Sequence, residues 1–566
     1  MQMKKSFLTF FIVLCLTACQ SPSVAPDQQA PAKNAVASAH PLATAAGMKI
    51  LEEGGNAFDA AIAVAAVLGV VEPYSAGIGG GGFWLLHREA DDYNVFIDAR
   101  ETAPAKAHKN LYLNKDGEVD RDRATNTALS AGIPGQAAAF DHLTQNYGLL
   151  PLTKTLASAI QLANEGFSAD PVYLQLLSYR APVLNRHSDS KRIFLNNGLP
   201  LRPGSLIFQP ELASTLESLA NQGFDGFYKG PVARKLVAGV QAADGIWEMS
   251  DLANYRVIER QPISFVYKGA KIVSAPPPSS GGVALAEMFN ILNHFELQDY
   301  DSVERTHILV ESMRRAYRDR AEHLGDPDFY PVPVSELLDP VYTRKLADSI
   351  QVNKATPSST LGKPRFTRSG THTTHLSVLD KQGNFVSATL SINLPFGSGV
   401  TVPGTGVLLN NEMDDFSAKP GSPNAYGLVG SQANAIEPGK RPLSSMTPSF
   451  IEFSNKKGNQ IAILGTPGGS RIITMVYLGM LEALEGKPPA SWVSRPRFHH
   501  QYLPDKIEYE PMAFSDEALD LLKAMGHETQ LVSRPYGNMQ GILWNRDTGD
   551  VKAASDPRRI GQAQVK

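Results

Sequence analysis

Residues 373–393 read Thr373-Thr374-His375-Leu376-Ser377-Val378-Leu379-Asp380-Lys381-Gln382-Gly383-Asn384-Phe385-Val386-Ser387-Ala388-Thr389-Leu390-Ser391-Ile392-Asn393. Two alternating, strand-forming runs flank the turn-rich segment Asp380 to Asn384, the pattern of a β-hairpin. If the loop closes with Leu379 facing Phe385, antiparallel pairing sets Thr373 opposite Ser391, their Cβ atoms ~5 Å apart. Asn393 follows Ser391 by two residues, so strand alternation points it to the same face. Facing Thr and Ser hydroxyls are also what an ordinary cross-strand hydrogen bond needs, and the hairpin alone leaves both readings open.

Upstream, Asn353 to His372 is polar and punctuated by Pro, Ser, Thr and Gly, an exposed connector by composition. Pro41 to Glu53 has a helical pattern stopped by Gly54-Gly55, and Asn56 with Asp59 three residues on caps a second helix whose core, Ala60 to Val71, is apolar all round and therefore buried. Glu72-Pro73 ends it. Gly77-Ile78-Gly79-Gly80-Gly81-Gly82 spells a dinucleotide fingerprint, but a helix precedes it and the strand-like Phe83 to His87 follows, the reverse of the required context. It is a glycine-rich turn into a hairpin whose second strand is Tyr93 to Ile97. Amphipathic helices are predicted at 136–147, 152–165, 210–222 and 303–324, and a strand at 268–275 runs into the rigid Pro276-Pro277-Pro278 turn.

The 566-residue chain is 43% hydrophobic and carries 53 basic against 56 acidic side chains, so it folds into a sizeable core and offers no electrostatic footprint for nucleic acid. Its two cysteines, Cys15 and Cys19, fall in the first twenty residues, which excludes disulfides, thiolate metal sites and thiol catalysis from the rest. Lys4, Lys5 and the apolar run from Phe7 to Leu16 form a secretory signal, residues 1–18, too short to span a bilayer. Leu16-Thr17-Ala18-Cys19 resembles a bacterial lipobox, which makes Cys19 the lipidated first residue of an exported protein held at the periplasmic face, with membrane contact only through that anchor; the alternative is an ordinary signal peptide cleaved near Ala18 and a periplasmic protein. Ser21 to Ala39 then reads as a flexible tether.

The hairpin and its surroundings closely resemble the signature of the γ-glutamyltranspeptidases, also called glutathione hydrolases. Thr373-Thr374-His375 and Asn393 to Gly397 carry the resemblance first, and 406–417 (GVLLNNEMDDFS), 440–446 (KRPLSSM), 465–474 (GTPGGSRIIT) and 554–557 (ASDP) extend it. In the first half it includes Glu53 to Ala57, the glycine run and Asp98 to Pro104, so nearly all of the mature chain is covered in order.

The resemblance implies an α+β fold of the N-terminal-nucleophile hydrolase type, a four-layer αββα sandwich built jointly by two autoprocessed subunits, 40–372 and 373–566. The Thr373 hydroxyl would attack the carbonyl of His372, and water would hydrolyse the resulting ester. The freed α-amine, with a reference pKa near about 8, can then serve as the base that a threonine nucleophile needs. Gly468-Gly469 alone is a strand-to-helix turn, but the family uses it as the oxyanion hole. By the same resemblance Arg100 clamps the substrate carboxylate, Ser444 and Ser445 add hydroxyl donors, Glu412 and Asp415 hold the ammonium, and Asn393 contacts the same α-carbon substituents. The implied activity is cleavage of the γ-glutamyl amide of glutathione and related compounds, with transfer to water, an amino acid or a dipeptide, and no cofactor or metal.

This chain has Ser391 where the family signature has a second threonine. The hydroxyl survives, but serine is freer at χ1 and holds it less firmly. Residues 419–427 resemble the family's lid loop, with Tyr426 over the glutamyl group. His372 and His375 fall on opposite strand faces and His499-His500 lacks an acidic partner at helical spacing, so neither pair reads as a metal site. The alternatives are a glutaryl or cephalosporin acylase of the same fold, whose substrate has no ammonium for Glu412 and Asp415, and a catalytically dead lipoprotein that binds γ-glutamyl peptides.

Overall fold

The Asn56 side chain accepts from the backbone N–H groups of Phe58 and Asp59 while the Asp59 carboxylate accepts from Asn56 N, closing the expected capping box on the buried helix Ala57–Val71. With the helix Pro41–Glu52 it forms one outer layer of a computed structural model that describes residues 28–362, 373–419, 422–425 and 427–566.

Two antiparallel sheets lie inside. The seven-stranded sheet runs Gln562–Val565, Ala35–Ser38, Thr374–Leu379, Phe385–Ser391, Gly81–Arg88, Tyr93–Ala99, Ile258–Arg260. The six-stranded sheet runs Val551–Ser555, Gln540–Asn545, Gly458–Gly465, Ser449–Asn455, Ala270–Ser274, Ile263–Tyr267. The strand period of two divides the central hairpin between two cores. Leu376, Val378, Val386, Ala388 and Leu390 pack on the helices Pro41–Glu52 and Ala57–Val71, whereas Leu379 and Phe385 join the second sheet and the helices Gly281–Leu292, Ser302–His323 and Ile472–Leu484. The result is the expected αββα sandwich.

Hairpin register is as read, Leu379 facing Phe385 through Thr374 facing Leu390. Three expectations need correction. The flexible tether to Ala39 is too long, because Ala35–Ser38 is a buried strand paired on one side with Thr374–Leu379 and on the other with Gln562–Val565. Its sequence, Ala35-Val36-Ala37-Ser38, is too short and too uniform in size to show a period of two. The helix expected over 152–165 is broken into Leu152–Thr155 and Ala157–Glu165. The connector from Asn353 is not exposed throughout: Ser358 is fully buried, its N–H donating to Asp505 at 2.6 Å and its hydroxyl accepting from Arg314 at 2.6 Å. Cys19 and the signal sequence, His372 and Tyr426 lie outside the described residues. Among the described residues no helix is long and apolar enough to cross a membrane.

Candidate active site

Thr373 is buried one residue ahead of the central strand Thr374–Leu379. One further step of the observed register sets it beside Ser391, which pairs across its other edge with Gly81. Both residues line one narrow cavity of about 20 Å³. The glycine run makes this approach possible: a Cβ on Gly80 would lie 2.2 Å from the Ser391 carbonyl oxygen, so the backbone there passes too close for any side chain.

The strand stops at Ser391. Asn393 lines the same cavity, but a turn brings it there and strand alternation does not: its φ is 70°, in the left-handed region that Asn tolerates. Its N–H donates to Ser391 Oγ at 2.8 Å and its Nδ2 to Asn411 O at 2.9 Å. Across the cavity the strand Gly458–Gly465 leads into Gly468 and Gly469, both at positive φ (152° and 58°), and the helical stretch from Gly469 continues as Ile472–Leu484. Thr373 therefore shares one cavity with Gly469 and another with Gly468, the two glycines at this helix start.

Glu412 and Asp415 sit on one short turn that lines the cavity. Arg100 lies behind them, fully buried, donating through Nη1 to Glu412 and through Nη2 to Asp415 at 2.5 Å. Burial alone would lower its pKa, but the carboxylates of Glu412, Asp415 and Glu101 outweigh that and raise it. Burial pushes the Glu412 carboxyl up to about 7 against the pull of Arg100, and Asp415 moves in the same direction for the same reasons. Ser444 and Ser445 line the opposite wall, held by the proline turn: Ser444 N donates to Pro278 O at 2.9 Å and Ser280 N to Ser444 O at 2.8 Å. Asn424 and Ala425 reach this acidic turn, with Asn424 Nδ2 donating to Asp415 Oδ1 at 3.0 Å and Ala425 N to Asp414 Oδ2 at 2.8 Å.

Of the residues expected from sequence, Thr373, Ser391, Asn393, Glu412, Asp415, Ser444, Ser445 and Gly469 line this cavity. Gly468 lines a second cavity that Thr373 also borders, and Arg100 reaches the site only through the acidic pair.

Arg320 was missed. It lines the cavity, donates to Ser280 Oγ at 3.0 Å and Ser445 Oγ at 3.2 Å, and is pushed down to about 10 by burial. Its setting among the many charges of the amphipathic helix Ser302–His323 hides it, because such a run normally marks a solvated face.

His375 is not a ligand candidate. It is buried against Thr389 Oγ1 at 2.9 Å and pushed down to about 3 by burial. His307, Glu311 and His527 come together from distant segments, but Glu311 is spent on Arg314 at 3.2 Å and Arg315 at 2.5 Å, and the two histidines hydrogen-bond each other at 2.7 Å. A larger groove of about 770 Å³, floored by Leu297, Val303, Phe453 and Phe514, shares no residue with the Thr373 cavities and holds no nucleophile with a base.

A profile of the gamma-glutamyltranspeptidase family matches residues 43–565. The chain is 43% identical over 530 residues to the glutathione hydrolase proenzyme of Escherichia coli strain K12, covering 93% of this chain and 90% of that protein. The cephalosporin acylase of Bacillus halodurans superposes with a TM-score of 0.82 at 28% identity, over 98% of this chain and 99% of that one. The gamma-glutamyltranspeptidase of Helicobacter pylori superposes with a TM-score of 0.55 at 40% identity, over 56% of this chain and 92% of that one.

Proposed function

Because the chain belongs to the gamma-glutamyltranspeptidase family, we propose that it is a glutathione hydrolase and γ-glutamyltransferase with Thr373 as nucleophile. The observation that carries this is the site itself: a buried threonine at the head of a central strand, between the glycine pair at a helix start and a wall holding both signs of charge. A γ-glutamyl group presents an α-carboxylate and an α-ammonium. Arg100, Ser444 and Ser445 take the first, Glu412 and Asp415 the second, and Asn393 contacts the same carbon's substituents.

Thr373 becomes a terminus when its hydroxyl attacks the His372 carbonyl, the peptide shifts to an ester, and water hydrolyses it. The α-amine then takes the hydroxyl proton as Oγ attacks the γ-carbonyl carbon of the substrate. The oxyanion is held by the N–H groups at Gly468 and Gly469, with Ser391 fixing the nucleophile. Collapse expels the amine of the leaving dipeptide, which departs with the proton. Water, an amino acid or a dipeptide then opens the glutamyl ester. Residues up to 372 and 373–566 act together as a heterodimer, and the word proenzyme in the E. coli relative's name supports that precursor reading. Export with a lipid on Cys19 belongs to the same proposal.

The acylase likeness gives a second reading, in which the substrate is a glutaryl amide. Glu412 and Asp415 weigh against it, since a glutaryl group offers them no ammonium. Purified protein is expected to run as two polypeptides, the smaller starting at Thr373, while Thr373→Ala stays a single inactive chain. N-terminal sequencing checks this, and a cut at the same bond in Thr373→Ala would assign cleavage to an outside protease.

A further inference from the structure

Arg320 is the one cation among the described residues that line the acid-bearing Thr373 cavity, and it pairs with no carboxylate among the described residues. Burial pushes it down to about 10, far enough above neutrality for it to keep its charge. Both of its hydrogen bonds go to serine hydroxyls, Nε to Ser280 Oγ and Nη2 to Ser445 Oγ. A guanidinium can only donate, so each serine oxygen accepts from it. Ser280 passes its own proton on to Ser444 O at 2.7 Å. The Ser445 proton has no acceptor among the described residues, although Ser445 lines the cavity. Ser444 is in the same state: its Oγ accepts from Met446 N at 3.1 Å, and its proton too has no described acceptor. Arg100, by contrast, is spent on Glu412 and Asp415.

A hydroxyl with nothing on its oxygen can present either its proton or a lone pair, and so suits a carboxylate or an ammonium equally. With Arg320 on Ser445 Oγ, one lone pair is filled, the proton is left to be donated, and the guanidinium repels a second cation from the remaining lone pair. We propose that Arg320 is a positioning residue for substrate recognition: it fixes Ser445 as a donor and so decides which wall of the cavity receives the α-carboxylate of the γ-glutamyl group. The inference rests on the proposed glutamyl transfer. Glu412 and Asp415 stand on one wall and the Arg320–Ser445 pair on the other, so the two charges of the ligand are told apart by position. The α-carboxylate lies at the far end of the glutamyl chain from the reacting carbonyl. Its contact is therefore made equally in the bound substrate and in the transition state, and losing it raises KM and leaves kcat in place.

The test is a double-mutant cycle on γ-glutamyl-p-nitroanilide hydrolysis. Arg320→Met and Ser445→Ala should each raise KM by about tenfold, the worth of one hydrogen bond to a charged group, with kcat held within about twofold. Because the arginine acts through the serine, adding Arg320→Met to Ser445→Ala should cost less than about twofold more. Arg320→Lys should recover part of the loss when Ser445 is present and none when it is alanine. Losses that multiply in the double variant, or a fall in kcat with KM unchanged, would overturn the positioning role. Should Arg320→Met not fold, Arg320→Lys runs the same cycle: its smaller rise in KM should vanish in the Ser445→Ala background, and a rise that persists there would overturn the proposal. Failure of the unmodified protein to hydrolyse γ-glutamyl-p-nitroanilide would instead overturn the proposed function on which it rests.

Discussion

Asp415 shows how one side chain can serve two partners. It pairs with Arg100 and also lines the cavity, so on the proposed reading the ammonium of a γ-glutamyl group would compete with Arg100 for the acids, and its carboxylate would reach that arginine only if the pair opened. A ligand with only one of those charges breaks a pair without replacing it. Asp415→Asn should therefore lower kcat/KM for γ-glutamyl-p-nitroanilide by about ten- to a hundredfold, and far less for glutaryl-p-nitroanilide, with self-cleavage intact. Equal losses on both substrates would make Asp415 structural. His375 offers a test on stability. Its folded pKa is depressed to about 3 by burial, so the unfolded chain protonates first and the stabilisation, present above about 6.5, is lost as pH falls toward 3. Against His375→Gln, the unmodified protein should lose about 2 kcal/mol of relative stability between pH 7 and 5, read from denaturant midpoints. A gap independent of pH would mean that the imidazole is not held neutral. At this scale the sequence motifs identified most of the cavity wall, because Thr373, Glu412, Asp415 and Ser444 stand in distinctive strings. Arg320 does not, since a charged residue inside a helix looks like solvated surface until tertiary packing buries it.

Elements carry the geometry that these residues need. The hairpin was legible because register follows from loop length and the alternation of apolar residues, yet the reason for its polar face was not. Ser377, Ser387 and Thr389 alternate with apolar residues as a solvent-facing edge would, but they are fully buried, and Ser387 Oγ donates to Leu464 O at 3.2 Å in the second sheet. A period of two reports that a strand has two different faces and says nothing about what covers the polar one. The glycine run shows the same limit: its letters fit a phosphate loop, and only the strand packed against it explains the missing side chains. Gly80→Ala places a methyl against the Ser391 carbonyl, so it should cost about 1–3 kcal/mol of stability and shift the end of the strand that carries Ser391. Thermal melts with activity assays on the surviving folded fraction check both; a variant with normal melting and normal turnover would show that the backbone has room to give.

Across the whole molecule, both sheets are built from segments on either side of residue 373. Thr374–Leu379 lies between Ala35–Ser38 and Phe385–Ser391, and Ser449–Asn455 pairs with Ala270–Ser274. After a cut before Thr373 the two pieces should copurify under native conditions and part only in denaturant, as size-exclusion chromatography would show; separation in buffer alone would contradict the interleaving. The sequence could not reveal the strand at Ala35–Ser38, since four small residues carry no periodic signal and are ordered entirely by their neighbours. The position of Thr373 has a further consequence. Ordinary chain ends are made on the ribosome and fray at the surface, but this one would be made inside a finished sheet, beside a glycine pair supplied by the other sheet. On the proposed reading, the strand that follows the cut is held by a partner strand more than three hundred residues away in sequence. If the proposed self-cleavage depends on that strand being in place, maturation would work as an inspection step, and a molecule that has not folded would never acquire its base.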